Sequence, residues 1–160
     1  MSGPERSVRV AVCGAGIADG ALATLAEAVG REIAQAGAIL VCGGLSGVME
    51  AAARGAAEAG GITIGVLPGT SATAANRWIS IPLPTGMGEM RNALVVRFAD
   101  AVIALDGEWG TLSEIALARK IGVPVVLLGS GPADGMGIET AGDPAAAVRA
   151  ALDNVRRTIP

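Results

Sequence analysis

The chain has 160 residues, 51% of them hydrophobic and 24 of them glycine, which suits one domain able to bury about 70% of the surface of its unfolded chain. A formal charge of −3 without a lysine- or arginine-rich run argues against a nucleic-acid partner, and no uncharged apolar run reaches the ~18 residues of a membrane span. Histidine and tyrosine are absent, which removes Ser-His-Asp and Cys-His catalysis and most zinc sites, so acid–base work falls to Asp or Glu and no metal site is expected.

The first segment, Met1 to Ser7, is polar and lacks an apolar signal-peptide core. That composition points to the cytoplasm and to a flexible start over residues 1–7. Val8 to Val12 reads as a first strand, ending at Cys13-Gly14-Ala15-Gly16. Leu22, Leu25, Ala26, Val29 and Ile33 then fall on one face of an amphipathic helix that Gly37 stops.

Ile39 to Cys42 is a second buried strand, running into Gly43-Gly44-Leu45-Ser46-Gly47 and a small-residue helix from about Val48 to Ala59. Glu50, Arg54 and Glu58 recur along that helix every four residues and predict a solvated ion-pair stripe. Its Ala51–Ala53 and Gly55–Ala57 positions predict close approach to the sheet.

Ile62 to Leu67 is a third strand, closed by Pro68-Gly69. A small polar loop, Thr70 to Arg77, leads past Trp78 to an extended piece around Ile79 to Leu83. A helix from about Met87 to Phe98 follows, carrying Arg91, Asn92 and Arg97. Ala101 to Leu105 is the next strand, giving way to the turn Asp106 to Gly110 and a helix opening near Thr111. Val125 to Leu128 is the last strand expected, and Gly129 to Gly142 a loop. Asp143 caps a closing helix with Pro144 in its first turn, running to about Arg157.

Strands alternating with helices predict a single doubly wound parallel sheet with helices on both faces. Ligands in such sheets bind beyond the carboxyl ends of the strands. Gly14 and Gly16, Gly43 to Gly47, Pro68-Gly69, and Gly107 to Gly110 all fall at such ends and are expected to converge on one rim. The turn before Thr111 is suited to an anion, because glycine lets the backbone approach and the helix start offers free N–H groups and positive dipole. Thr111-Leu112-Ser113-Glu114 also reads as a capping box, with Thr111 as the cap and Glu114 answering it. The cap and a ligand-facing Glu114 stand side by side.

Gly14-Ala15-Gly16-Ile17-Ala18-Asp19-Gly20 departs from the dinucleotide fingerprint, since Asp19 holds the third glycine position and no ribose-binding acid ends the second strand. NAD is therefore disfavoured. Cys13 and Cys42 fit a reducing compartment and read as small buried hydrophobes rather than a metal or redox pair. Trp78 and Trp109 stand in loops where stacking on a ligand, packing on the core and a dimer contact are all open. Arg77 and Arg97 read as solvated or paired.

Gly43 to Gly69, taken with Arg91-Asn92 and Gly107-Glu108-Trp109-Gly110-Thr111-Leu112-Ser113-Glu114, resembles the LONELY GUY and DprA-related (SLOG, "lysine decarboxylase-like") superfamily of Rossmann-like nucleotide-binding proteins. The resemblance covers roughly residues 8 to 128 and is greatest to the small branch that includes molybdenum-cofactor carrier proteins. It implies a homodimer, a small phosphorylated ligand at the glycine rim, and no resident cofactor. The carried ligand is then a molybdenum cofactor or a nucleotide. For the hydrolases of the superfamily it implies release of free base from a nucleoside 5′-monophosphate, with Arg91 holding substrate and Glu114 stabilising the ribosyl centre.

This chain departs from the hydrolases at Asn92, where they carry a basic residue, and at Asp106-Gly107-Glu108, where they carry Pro-Gly-Gly. A carboxylate about 4 Å from a phosphate charge repels it by roughly 4 kcal/mol at an effective dielectric near 20, against about 0.3–2 kcal/mol of helix-end attraction. Glu108 is therefore expected to turn away, contact a sugar or pterin donor, or recruit a cation. Lysine decarboxylation is disfavoured, because Lys120, the only lysine, sits late in a helix rather than at the rim.

Overall fold

The computed structural model describes residues 6–158, and seven strands within them join into one parallel sheet. In chain order the elements are β1 (Arg9–Cys13), α1 (Gly20–Gln35), β2 (Ile39–Cys42), α2 (Val48–Glu58), β3 (Thr63–Leu67), β4 (Ile81–Pro84), α3 (Asn92–Phe98), β5 (Ala101–Ala104), α4 (Trp109–Ile121), β6 (Val125–Leu128), β7 (Glu139–Ala141) and α5 (Pro144–Thr158). The strand order is β4-β3-β2-β1-β5-β6-β7. The direction of winding reverses between β1 and β5, and this switch point is where such sheets open a crevice.

Period-two alternation sorts the central strands onto two cores. Val10 and Val12 pack with Ala26, Val29 and Ile33 of α1, the alanines of α2, and Ala147, Val148 and Ala151 of α5. Ala11 and Cys13 pack on the other face with Val95 and Val96 of α3 and Ile115 and Ala118 of α4. Burial on both faces explains why the strands read as continuous apolar runs. The doubly wound Rossmann-like architecture expected from the sequence is the one observed.

Several local readings change. The seventh strand, Glu139–Ala141, lies inside the stretch read as a loop; it is three residues long, at the sheet edge, and largely exposed, so no apolar pattern marks it. The helix expected from Met87 to Phe98 is split into a 3-10 turn, Gly88–Arg91, and α3. Gly86 and Gly88 with φ of +67° and +58° bring the chain into that turn, a conformation that favours glycine. Arg54 does not pair along its own helix: it crosses to Glu27 of α1 at 2.6 Å, so the expected stripe of Glu50, Arg54 and Glu58 is not formed. Trp78 lies at the amino end of β3, where its carbonyl accepts from the Thr63 hydroxyl at 2.6 Å. It packs on the α1–α2 core, with Arg77 stacked 4.9 Å from its ring, so core packing is the role it takes.

The small residues of α2 serve a helix crossing as well as the sheet. A Cβ on Gly30 of α1 would strike the Ala52 carbonyl, and one on Gly55 of α2 would strike the Glu27 carbonyl. The two backbones therefore touch at a paired glycine contact. Gly30→Ala and Gly55→Ala are each expected to lower the unfolding free energy by about 1–3 kcal/mol, because backbone rather than a flexible side chain must move. Urea unfolding of the two variants measures this, and wild-type midpoints would show that the helices part without cost.

At the amino end, Asp100 accepts from the Arg9 backbone N–H at 2.8 Å and pairs with Arg6 at 2.6 Å. The flexibility expected of residues 1–7 otherwise falls on residues 1–5, outside the described residues. Asp143 caps α5 as expected, its Oδ1 accepting from the Ala146 N–H at 2.8 Å. Asp19 caps α1 in the same way through the Leu22 N–H at 2.8 Å, which gives a structural reason for the acid standing in the third glycine position. Among the described residues no helix is long and apolar enough to cross a membrane.

Candidate functional site

Three loops are laced together above the switch point. The Ala15 N–H donates to the Asp106 carbonyl at 2.8 Å, and the Ala15 carbonyl accepts from Val48, the first residue of α2, at 2.9 Å. The Ser46 hydroxyl donates to the Gly16 carbonyl at 2.8 Å. Glycine is required where these chains meet. Gly47 has φ of +69° and lies against the Ala15 and Gly16 backbone, while Gly107 lies against the Thr111 hydroxyl.

Below this lacing is a cavity of about 340 Å³. The residues expected at the rim divide between wall and frame. Gly14, Gly16, Gly43, Arg91, Asn92, Glu108, Gly110, Thr111 and Glu114 line it. Gly44, Ser46, Gly47 and Gly107 do not, and instead hold the loops that shape it. Pro68 and Gly69 lie away from it, their carbonyls accepting from Gly88 and Gly86 at 2.9 Å each. Trp109 is 83% exposed at the start of α4 and does not line the cavity; with Leu112 and Pro132 it lines an open groove that adjoins it at Glu108. Val12, Cys13, Ala15, Ile17 and Met49 also line the cavity without having been singled out as ligand residues. Only the position of Cys13 at the end of β1 hinted at this.

The helix α4 begins three residues earlier than the capping box requires. Its cap is Glu108, with no side-chain cap bond, and the Glu108 carbonyl accepts from Leu112 at 3.0 Å. Thr111 therefore stands inside the first turn, 4% exposed, and Glu114 one turn further, 8% exposed. The capping box is not formed. Gly110, Thr111 and Glu114, at spacings of three and four, share the face of α4 that looks into the cavity. At the far end Gly122, with φ of +81°, closes the helix in left-handed conformation.

Arg91 also lines the cavity and is 9% exposed. Its Nε donates to the Val66 carbonyl at 2.8 Å, one terminal nitrogen to the Gly43 carbonyl at 3.4 Å, and the other to Asn92 Oδ1. A guanidinium carries five N–H groups, so a fork with one free N–H on each terminal nitrogen remains. A Cβ at Gly43 would lie 2.7 Å from the guanidinium, which is why this position holds glycine.

Burial pushes the Glu114 carboxyl up to about 7, against the opposing pull of the Cys13 thiol beside it and of the Arg91 charge. Burial likewise raises the Cys13 thiol, reinforced by Glu114, and raises Cys42 to about 11. The two thiols pack on opposite faces of the sheet, Cys13 with the α3–α4 core and Cys42 toward the Met49 carbonyl of α2 at 3.8 Å, so they are not a pair. Among the described residues no cluster of three or more Cys, Asp or Glu is placed to hold a metal ion.

A doubly wound sheet, and a cavity at its switch point lined by both an arginine and an uncapped helix start, define a Rossmann-like protein of the ligand-binding kind. The chain belongs to the SLOG cluster4 family, whose model matches residues 7–153. An uncharacterized protein of Archaeoglobus fulgidus is 41% identical to it over 121 residues, 76% of this chain and 80% of its own length. The structure of the molybdenum cofactor binding protein of Rippkaea orientalis matches with a TM-score of 0.86 and 34% identity, over 92% of this chain and 97% of that one. The molybdenum cofactor carrier protein of Chlamydomonas reinhardtii matches with a TM-score of 0.84 and 36% identity, over 94% and 99% of the two chains.

Proposed function

We propose that this protein binds and carries a phosphate-bearing ligand in the switch-point cavity, a molybdenum cofactor being its sharpest form. One observation supports the reading: Arg91, with two N–H groups left over by its bonds to Val66, Gly43 and Asn92, and the start of α4, whose cap has no side-chain bond, line the same cavity. That is a preformed cradle for a phosphate. The two cofactor-binding structures it resembles support the carrier form. Gly14, Gly16, Gly43, Asn92, Gly110 and Thr111 complete the binding wall. Glu108, exposed at the mouth, stays clear of the phosphate. We also propose a homodimer, a cytoplasmic setting and no nucleic-acid partner.

A second reading, phosphoribohydrolysis of a nucleoside 5′-monophosphate, is favoured by one specific observation, that Arg91 and Glu114 line the same cavity. The carrier is preferred because the two cofactor-binding structures resemble the chain over nearly its whole length, while Asn92 and Asp106-Gly107-Glu108 depart from the hydrolase pattern. The test is release of free base from a panel of nucleoside monophosphates, including an N6-prenylated AMP, by wild type, Arg91→Ala and Glu114→Gln. The carrier reading expects no release, with a fluorescent pterin in the co-purified material after oxidation. Release that disappears in both folded variants would overturn it in favour of the hydrolase.

A further inference from the structure

The cavity lining carries two chemistries. The Arg91 fork and the first turn of α4 supply donors. The Glu114 carboxyl is an acceptor, on a lining that also includes Val12, Cys13 and Met49. None of the side-chain hydrogen bonds among the described residues ends on that carboxyl, and neither of its oxygens is a fully buried atom left without a partner, so both stay open to the cavity.

A carboxyl whose acceptor sites are open to a cavity and unused by the protein is matched by a ligand that brings donors to it. A phosphate brings none and is repelled. Sugar hydroxyls bring donors, but the apolar and sulfur-bearing surroundings suit a flat ring, since thioether and thiol sulfur make favourable contacts with aromatic edges. A planar carboxylate is matched by two parallel N–H groups held on one rigid edge, as in its pairing with guanidinium. In a heterocycle that pattern is the 2-amino-4-oxopyrimidine edge, with a ring N–H beside an exocyclic amino group.

We propose that Glu114 sets the specificity of this cavity by pairing with the 2-amino-4-oxopyrimidine edge of the ligand, an edge that pterins and guanine share and adenine lacks. The proposal rests on the phosphate-bearing ligand reading above and adds which ring the ligand carries. Arg91 and the start of α4 hold the phosphate, and Glu114 reads the ring.

The test titrates the full chain with GMP, IMP and AMP, which share ribose and phosphate and differ only at the ring edge, and with pterin and lumazine, which differ only by amino against oxo at position 2. Inorganic phosphate is titrated alongside. GMP is expected to bind about tenfold or more tighter than IMP, with AMP weakest, and pterin to exceed lumazine by a similar factor, as for hydrogen bonds to a charged group. Glu114→Gln is expected to bring each pair within about twofold and to strengthen inorganic phosphate binding by removing a like charge. Preference within the nucleotide set alone identifies guanine as the source of the edge, and within the pteridine set alone identifies a pterin. Equal binding of GMP and IMP together with equal binding of pterin and lumazine, or a preference that survives Glu114→Gln, overturns the proposal. Phosphate binding that depends on Arg91, without any ring preference, overturns it and leaves the phosphate reading standing. Absence of phosphate binding overturns both.

Discussion

Replacing Arg91 by alanine is expected to weaken binding of GMP and of inorganic phosphate by about a hundredfold or more. Each charge-assisted hydrogen bond is worth roughly 1.5–3 kcal/mol, and the guanidinium has two N–H groups free to make them while its other three are held by Val66, Gly43 and Asn92. The held groups matter as much as the free ones, because they aim the fork before any ligand arrives. Arg91→Lys keeps the charge without the fork and should recover only part of the loss. Removing the side chain also leaves the Val66 and Gly43 carbonyls without these donors, at about 1–3 kcal/mol of stability for a group left unsatisfied. Calorimetric titration, with urea unfolding to check that the variant is folded, measures both effects. Wild-type affinity in a folded Arg91→Ala chain would show that phosphate does not bind in this cavity.

The second large effect concerns pH. Burial holds Glu114 at about 7 instead of 4.5, so between those values the folded protein keeps a proton that the unfolded chain has released. Stability from this group is therefore complete below about pH 4.5 and is lost as the pH rises through about 7. The displacement corresponds to about 3 kcal/mol of penalty in the alkaline limit. Glu114→Gln, which is neutral throughout, should be more stable than wild type by a large part of that amount at pH 8, and the difference should shrink toward zero by pH 5. Urea midpoints at the two pH values decide this. A variant that is no more stable at pH 8 would mean that Glu114 is solvated in the free protein and that the cavity is wet. A stabilising substitution at Glu114 is what the proposed binding site, maintained at the expense of folding, is expected to give.

The same helix shows how a sequence reading goes astray locally while holding globally. Thr111-Leu112-Ser113-Glu114 has the spacing of a capping box, yet Glu108 caps the helix and both Thr111 and Glu114 are buried. Sequence spacing is identical for a residue that bonds back to the cap and one that faces a cavity. What separates them is where the first turn begins, and that depends on how the Asp106–Gly110 loop is pinned by Ala15 of the loop after β1. Arg54 repeats the lesson, since its partner Glu27 becomes adjacent only when α1 and α2 cross through Gly30 and Gly55.

By itself the sequence determined the parallel doubly wound sheet, the six strands that carry apolar or extended signal, and the glycine turns at their carboxyl ends. Local pattern suffices for these, because burial on both faces forces continuous apolar strands and close backbone approach forces glycine. The pairing of Arg91 with Glu114 came from the resemblance to a known superfamily and not from local pattern. Only the tertiary structure decided which glycine turns wall the cavity and which frame it. It kept Pro68-Gly69 and Trp109 off the lining of that cavity, brought Cys13 and Met49 onto it, and set Glu114 there instead of in a cap. Those outcomes depend on contacts between residues far apart in the chain, and hence on strand order and helix start, which no short window of sequence encodes.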